Sequence, residues 1–433
     1  MVTRKPQSAQ EKALLERAAR HLPGADMGNG PATFETSFIV KEARGSKIYD
    51  FSDNEYIDYL LGSGPMVLGH AHPAVVEAVR EYLERGSTYF IPNERAIQLA
   101  EEICEAVPCA DLVRFTTSGT DATFQCMRVA RAYRKRHKIL KFEGGFHGTS
   151  DYALQSVTPK HSLDFPQPDV GSAGIPGVIQ DTVLIAPYND LETTSLIITE
   201  NRNDLAWVIV EPMQRILTPL PGFLEGLREV TARYEIPLIF DEVVTGFRLA
   251  YGGAQELYGV VPDLAAFGKI IGGGYPLAAI AGRADIMQAY DSSITQEGDS
   301  IVQIGTLNGN PIAATAGLAT LAQMRKPGTY ETLRATGKRL KAALQDTLDQ
   351  AEIPASVVGD DTCFDVYFTD REITTYRSTI SANAGMLKQF NKLLLDRGIL
   401  KGGQKFYMSL AHNEADIKRT TQVFKEAAEA LQY

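Results

Sequence analysis

The sequence has few cysteines. Cys104, Cys109, Cys126 and Cys363 are all it holds in 433 residues, and none forms a CxxC pair. That argues against both a disulfide framework and a structural zinc site, and a reducing, cytoplasmic setting is the default. No apolar run reaches the roughly 18 residues a membrane span needs. The amino-terminal stretch MVTRKPQSAQEKALLERAARHLPG carries basic residues but no apolar core of the kind a secretory signal needs. There is no tandem repeat or low-complexity tract. Nor is there an excess of positive charge. Lys and Arg number 43 against 53 Asp and Glu, a net charge of −10, with an isoelectric point near 5.3. A nucleic-acid-binding chain usually presents a basic face, so that class is disfavoured.

Hydrophobic residues make up 44% and charged residues 22%, and the mean hydropathy is −0.13. That is the balance of a globular chain with a large core. At about 150 residues per domain, the length suggests two or three domains. Leu14, Leu15 and Ala18 share one face of a helix expected over Ala9–Ala19, and Gly24–Pro31 reads as a loop. Ile48, Tyr49 and Phe51 before the Asp53-Asn54 turn, with Tyr56, Ile57 and Tyr59 after it, read as strands.

From about Pro73 to Met324 helices alternate with short apolar runs. Helices are expected over Ala74–Arg85, Glu94–Ala106 and Thr120–Arg136. The runs are Leu112–Phe115, Ile139–Phe142, Trp207–Val210, Leu238–Phe240, Leu264–Phe267 and Leu277–Ala281. Such a pattern implies an α/β fold whose sheet is buried on both faces and binds ligands at the carboxyl ends of its strands. The last hundred residues read as a smaller α+β domain, with helices over Tyr330–Gln350, Ala382–Arg397 and Ala415–Leu431. Phe364, Val366 and Phe368 alternate there as a strand. The boundaries expected are 1–65 for amino-terminal elements belonging to the small domain, 66–325 for the large domain and 326–433 for the rest of the small one.

Three elements carry chemistry. Leu112–Phe115 runs into Thr116-Thr117-Ser118-Gly119-Thr120 and then a helix. A helix start offers unpaired N–H groups and partial positive charge to a phosphate, although an ordinary helix cap uses the same residues. Asp241 ends the run Leu238–Phe240. A carboxylate there is costly unless paired, and one use is to hold a heterocyclic nitrogen protonated; a capping or salt-bridged Asp is the alternative. Lys269 follows the run Leu264–Phe267 and precedes Gly272, Gly273 and Gly274. A lysine so placed can lose its proton and form a Schiff base, with the glycines letting backbone pass close to a bound group; a surface lysine is the alternative. Asp241 and Lys269 stand 28 residues apart, room for one helix and a return strand. Phosphate cradle, Asp and Lys together are the parts needed to hold pyridoxal 5′-phosphate. Phe146, in Gly144-Gly145-Phe146-His147-Gly148, can cover one ring face and Val243 the other, unless both are core residues. No metal site is suggested.

These stretches resemble the class III, or subgroup II, aminotransferases of fold type I, nearest the glutamate-1-semialdehyde 2,1-aminomutases. The likeness runs from about Pro23 to the end. It is carried by IDYLLGSGPMVLGHAHP from Ile57, SGTDAT from Ser118, KFEGGFHG from Lys141, VEP from Val210, IFDEVVTGFR from Ile239, GVVPDLAAFGKIIGGG from Gly259, GTLNGNP from Gly305 and SLAHNEADI from Ser409. The resemblance implies a large domain with a mostly parallel seven-stranded sheet, a smaller α+β domain, and a homodimer with shared active sites. It makes Lys269 the Schiff-base lysine and Asp241 the partner of the pyridine nitrogen. Phe146 stacks on the ring with His147 beside it, Ser118, Gly119 and Thr120 hold the phosphate, and Thr306 reaches the phosphate of the neighbouring subunit.

The departures bear on substrate. Leu22–Val40 contains no Arg or Lys, where the aminomutases carry an arginine for the substrate carboxylate. Tyr89 and Phe90 stand where the family has mostly small residues, and are expected near the pocket mouth. The stretches Tyr152–Gly171 and Gln404–Tyr407 also differ. Arg215 is the remaining candidate for a carboxylate clamp, with a surface arginine as the alternative. The expectation is an aminotransferase moving nitrogen from an amine, β-amino acid or ω-amino acid to a 2-oxo acid by a ping-pong mechanism. The aminomutase is the alternative, followed by racemisation or phospho-lyase chemistry. A non-catalytic binding module is the alternative of another class.

Overall fold

The computed structural model describes residues 4–29, 38–295, 300–403 and 405–432. The chain divides into two compact units. The larger comprises Ala74–Tyr330 with Ile373–Ile380, and the smaller comprises residues up to Pro73, Glu331–Glu372 and Ser381 onward. The large-unit boundaries therefore lie at Ala74 and Tyr330, and eight residues from the carboxyl-terminal third belong to it.

A seven-stranded sheet forms the centre of the larger unit. Its order is Leu112–Thr116, Ala278–Gly282, Leu264–Phe267, Leu238–Asp241, Leu205–Val210, Lys138–Phe142 and Val183–Ala186. Ala278–Gly282 runs antiparallel to both neighbours, and the other pairings are parallel. Six apolar runs were legible as strands; the seventh, Val183-Leu184-Ile185-Ala186, is an unbroken buried run of the same kind. The antiparallel direction of Ala278–Gly282 has no signature in the residues themselves, because a strand buried on both faces looks alike in either direction. Since that strand is antiparallel to Leu112–Thr116 and to Leu264–Phe267, the carboxyl ends of the other six lie along one edge.

Helix Gly119–Arg134 crosses the sheet, burying Ala122, Cys126, Met127, Val129 and Ala130 in one cluster with Ile139, Trp207, Ile239, Leu264 and Ile280. Within the Gly272–Gly274 run, Gly273 is required by packing against a helix. Gly317, on helix Pro311–Met324, has a hydrogen where a Cβ would lie 2.0 Å from the Ile271 carbonyl, and a Cβ on Gly273 would lie 2.4 Å from the Ala316 carbonyl. These glycines let the turn Lys269–Gly272 press directly on a helix, which holds Lys269 from behind.

In the smaller unit the early strands Val40–Arg44, Lys47–Asp50 and Glu55–Asp58 join Ile399–Leu400 in one sheet, the last pairing parallel to Glu55–Asp58. A second sheet holds Ser356–Asp360, Cys363–Tyr367 and Phe406–Tyr407. Tyr59 stacks on His412 at 4.3 Å. Among the described residues no helix is long and apolar enough to cross a membrane, and none of the four cysteines is in a disulfide.

Glu242 ties the end of the central strand to helix Gly253–Tyr258. Its carboxylate accepts from the Ala254 and Gln255 N–H groups and from Thr245 Oγ1. Burial pushes its pKa up to about 6, against the pull of those donors. A raised acid pKa means the folded state binds the extra proton between about 4.5 and 6. The stabilisation is full below that window and is lost as pH rises through it, by about 2 kcal/mol. Urea unfolding should show this slope in the wild type and its loss in Glu242→Gln.

Candidate active site

Three of the sheet's carboxyl ends meet around Asp241. The strand Leu238–Asp241 pairs in parallel with Leu264–Phe267, placing Asp241 beside Ala266. Ala278 pairs with Thr116, which brings in the start of helix Gly119–Arg134. Gly268 then lies among Val243, Ala278 and Gly119: a Cβ there would be 3.3 Å from Val243 Cγ1 and 3.9 Å from Gly119 Cα. Ser118, Gly119, Val243, Gly268 and Lys269 are thus brought together from three segments of the chain. Lys269 is half-buried at the first position of its turn, with a left-handed φ of 51°. A non-glycine residue in that region is strained, and such residues concentrate at functional sites.

Asp241 is 5% exposed. One carboxylate oxygen accepts from the Val243 N–H at 3.1 Å, and the other is paired with His147 Nδ1 at 2.8 Å. His147 is fully buried, and its Nε2 has no partner among the described residues. With the proton on Nδ1, the imidazole donates to the carboxylate and holds its plane.

His147 arrives from a strand two places away. The loop after Lys138–Phe142 must cross the end of Leu205–Val210, where Glu211 and Gln214 receive it. Glu211 accepts from the Phe146 N–H at 3.0 Å, and Gln214 donates to the Glu143 carbonyl at 2.8 Å. On the far side Thr123 Oγ1 donates to the His147 carbonyl at 2.6 Å. Gly148 passes so near helix Gly119–Arg134 that a Cβ would lie 2.6 Å from Thr120 Cα. Phe146 and His147 therefore sit beside the Ser118–Thr120 turn. The Phe146 ring is partly exposed, with the Arg215 guanidinium 5.1 Å from its centroid. Arg215 Nε donates to the Gly144 carbonyl at 3.2 Å.

The Ser118 hydroxyl accepts from the Asp121 N–H at 3.2 Å, so it is a helix cap. That role orients the helix start, whose first N–H groups have no intrahelical partner, and is compatible with holding an anion. The cradle is fitted to its neighbours: a Cβ on Gly119 would lie 2.9 Å from Val243 Cγ1. A pyridine ring bounded by Phe146 and Val243, with its nitrogen toward Asp241 and its phosphate toward the helix start, suits this donor set.

Other expectations fall elsewhere. Tyr89 donates its hydroxyl to the Arg85 carbonyl at 2.6 Å, closing its own turn. Phe90 and Thr306 line a separate groove of about 450 Å³ with Ile91, Ile97 and Ile304. Residues 30–37 of the Leu22–Val40 stretch, and Gln404, lie outside the described residues. The sequence reading assigned no part to Glu143, Glu211 or Arg377. Arg377 forms a two-pronged ion pair with Glu143, through Nε at 2.9 Å and Nη2 at 3.1 Å. Nothing local marks a pairing 234 residues apart.

The model of the class III aminotransferase family matches residues 30–427. The chain belongs to the class III aminotransferases. It is 44% identical to a protein named glutamate-1-semialdehyde 2,1-aminomutase from Pelotomaculum thermopropionicum, over 96% of this chain and 97% of the relative. An omega-transaminase from Sphaerobacter thermophilus superposes with a TM-score of 0.93 at 33% identity, covering 99% of both chains. A transaminase with PLP bound superposes at 0.90 with 27% identity, over all of this chain and 98% of the other. The chain is a pyridoxal 5′-phosphate-dependent enzyme, which removes the non-catalytic module from consideration.

Asp241→Asn should weaken cofactor binding and lower turnover together. Breaking one side of a buried ion pair costs about 3–5 kcal/mol, or roughly two to four decades. Cofactor titration of the apoprotein and steady-state rates check this; a variant within about tenfold of wild type in both, only ~1.4 kcal/mol, removes Asp241 from the site.

Proposed function

We propose that this chain moves an amino group on a small-molecule substrate, with Lys269 and Asp241 as its catalytic residues. The observation that carries the reading is the buried Asp241–His147 pair, set beside the Gly119–Val243–Gly268 contact at the carboxyl edge of the sheet. Pyridoxal 5′-phosphate, when bound, supplies an electron sink for charge developing at the amine-bearing carbon. Ser118, Gly119 and Thr120 are assigned to its phosphate, Phe146 and Val243 to the two faces of its ring. Asp241, oriented by His147, keeps the ring nitrogen protonated. Lys269 would hold the aldehyde end of the cofactor, and its amine would move the proton at the substrate's amine-bearing carbon.

The kinship to a protein named an aminomutase favours that reading over the two-substrate transaminase first expected. An aminomutase takes nitrogen from and returns it to one substrate, so no external acceptor is needed. The second reading, transfer from an amine, β-amino acid or ω-amino acid to a 2-oxo acid, is favoured by one feature of this chain: Leu22–Val40 holds no cation for a carboxylate. The likeness to an omega-transaminase agrees with it. Incubation with glutamate 1-semialdehyde and no acceptor separates the two. Formation of 5-aminolevulinate faster than any amine with pyruvate or 2-oxoglutarate supports the aminomutase. No conversion, with ping-pong kinetics on an amine and a 2-oxo acid, overturns it for the transaminase.

Arg215 serves substrate carboxylates in either case. Its Nε is engaged at Gly144, and its fork has further N–H groups to offer beside Phe146. A charge-assisted hydrogen bond to a carboxylate contributes about 1.5–3 kcal/mol, or roughly one to two decades. Arg215→Ala should lose that much kcat/KM on carboxylate-bearing substrates and less than about threefold (~0.7 kcal/mol) on simple amines; equal losses on both would remove the assignment.

The groove at Phe90 and Thr306 suits a second copy of this chain, as the homodimer expectation requires. Phe90 is 67%, Ile91 70% and Ile304 78% exposed, and clustered apolar exposure of this kind marks an interaction face. Thr306 would then reach the second copy's phosphate, and Tyr89 and Phe90 would border a pocket completed across the pair. The setting proposed is cytoplasmic. Sedimentation should give a dimer, and an active monomer at working concentration would contradict the shared site.

A further inference from the structure

We propose that Lys141 is a positioning residue for the amino-transfer site: its buried amine holds the carbonyls of Gly145 and Gln155, and so fixes the loop that presents Phe146 and His147. The proposal rests on the reading of Phe146 and His147 as cofactor-facing residues. Lys141 lies on the strand Lys138–Phe142 between Leu140 and Phe142, and is 0% exposed. An amine in such a place is costly unless its donors are satisfied. It donates to the Gly145 carbonyl at 3.0 Å and to the Gln155 carbonyl. These acceptors are main-chain groups, and they belong to two different segments. Gly145 precedes Phe146, and Gln155 lies in the stretch 152–171 whose sequence departs from the aminomutases. A second stitch runs alongside, from the Gly144 N–H to the Ser156 carbonyl at 2.8 Å.

The charged groups acting on the amine are Glu211, which receives the Phe146 N–H, and Arg215, which donates to the Gly144 carbonyl. Burial lowers the pKa of Lys141 to about 7, with Glu211 opposing and Arg215 adding to the drop. A neutral amine has two N–H donors and a charged one three, so either form can serve both carbonyls. A methionine would fill the same space and leave both carbonyls buried without a donor. The lysine is therefore needed for its donors, and its effect reaches the cofactor through the Gly145–His147 backbone.

Pyridoxal 5′-phosphate is titrated into the apoprotein while the fluorescence of Trp207, the only tryptophan, is followed, and thermal unfolding of the apoprotein is measured in parallel. Lys141→Met should bind the cofactor about tenfold more weakly, the equivalent of about 1.4 kcal/mol. Leu140→Ala, a cavity in the same strand, should lower the unfolding temperature yet leave the dissociation constant unchanged. Lys141→Gln keeps two N–H donors without titrating and should bind within about threefold of wild type. A folded Lys141→Met with wild-type affinity overturns the proposal. So does Lys141→Gln binding more than about tenfold (~1.4 kcal/mol) weaker than wild type, whether or not Lys141→Met folds. Phe146→Ala distinguishes the underlying reading: if it leaves cofactor affinity untouched, the loop does not face the cofactor, whereas a loss there without a loss in Lys141→Met rejects Lys141 alone.

Discussion

A carboxylate at the end of a buried central strand costs several kcal/mol unless its charge is met by donors, and at Asp241 the two donors come from different places. One is the Val243 N–H two residues on; the other is His147, carried in from a strand two positions across the sheet. Bringing His147 to Asp241 obliges the loop after Phe142 to cross the end of the intervening strand. There its backbone groups need partners, which Glu211 and Gln214 provide. Once across, the loop is clamped to helix Gly119–Arg134 through Thr123. The position of the Phe146 ring and its closeness to the helix start follow from satisfying one buried charge.

The same loop is held from outside by groups of opposite sign. Arg377 grips Glu143 and packs over Phe165, 4.2 Å from the ring centroid, and it comes from the eight-residue segment of the larger unit that the chain reaches only late. Lys141 holds the loop from beneath. Glu143 and Lys141 are buried, although the Arg377 side chain is 38% exposed; hydrogen bonds to buried groups are stronger than in water and more costly to break, so a loop of glycines, flexible by composition, acquires a defined path. Lys269 is treated alike: its left-handed backbone persists because Gly273 and Gly317 allow a helix to press against its turn.

This frame is indifferent to the substrate. Relatives named as an aminomutase and as an omega-transaminase share it almost end to end, which is expected when the cofactor does the difficult chemistry and the protein contributes orientation and charge. What separates such enzymes is the handful of groups that meet the rest of the substrate. In this chain the groups proposed for that part are Arg215, half-buried beside Phe146, and the groove at Phe90 and Thr306.

The alternation of helices with short apolar runs, and the strand-end positions of Ser118, Asp241 and Lys269, were legible in the sequence because burial on both faces leaves a continuous apolar run and chemistry sits where that run stops. Lys141 stands inside the run Ile139–Phe142, which was read as apolar throughout, so its purpose was not legible. The antiparallel strand Ala278–Gly282, the Glu143–Arg377 pair, the pairing of His147 with Asp241 and the helix behind the glycine run were not legible. Each is a contact between segments distant in the chain, and residue type records what a side chain can do but not which partner it will meet. Composition and spacing determined the fold class and the kinds of groups at the site. Only the tertiary structure decided which strand carries the histidine to the buried aspartate, because that choice depends on strand order and direction rather than on any local preference.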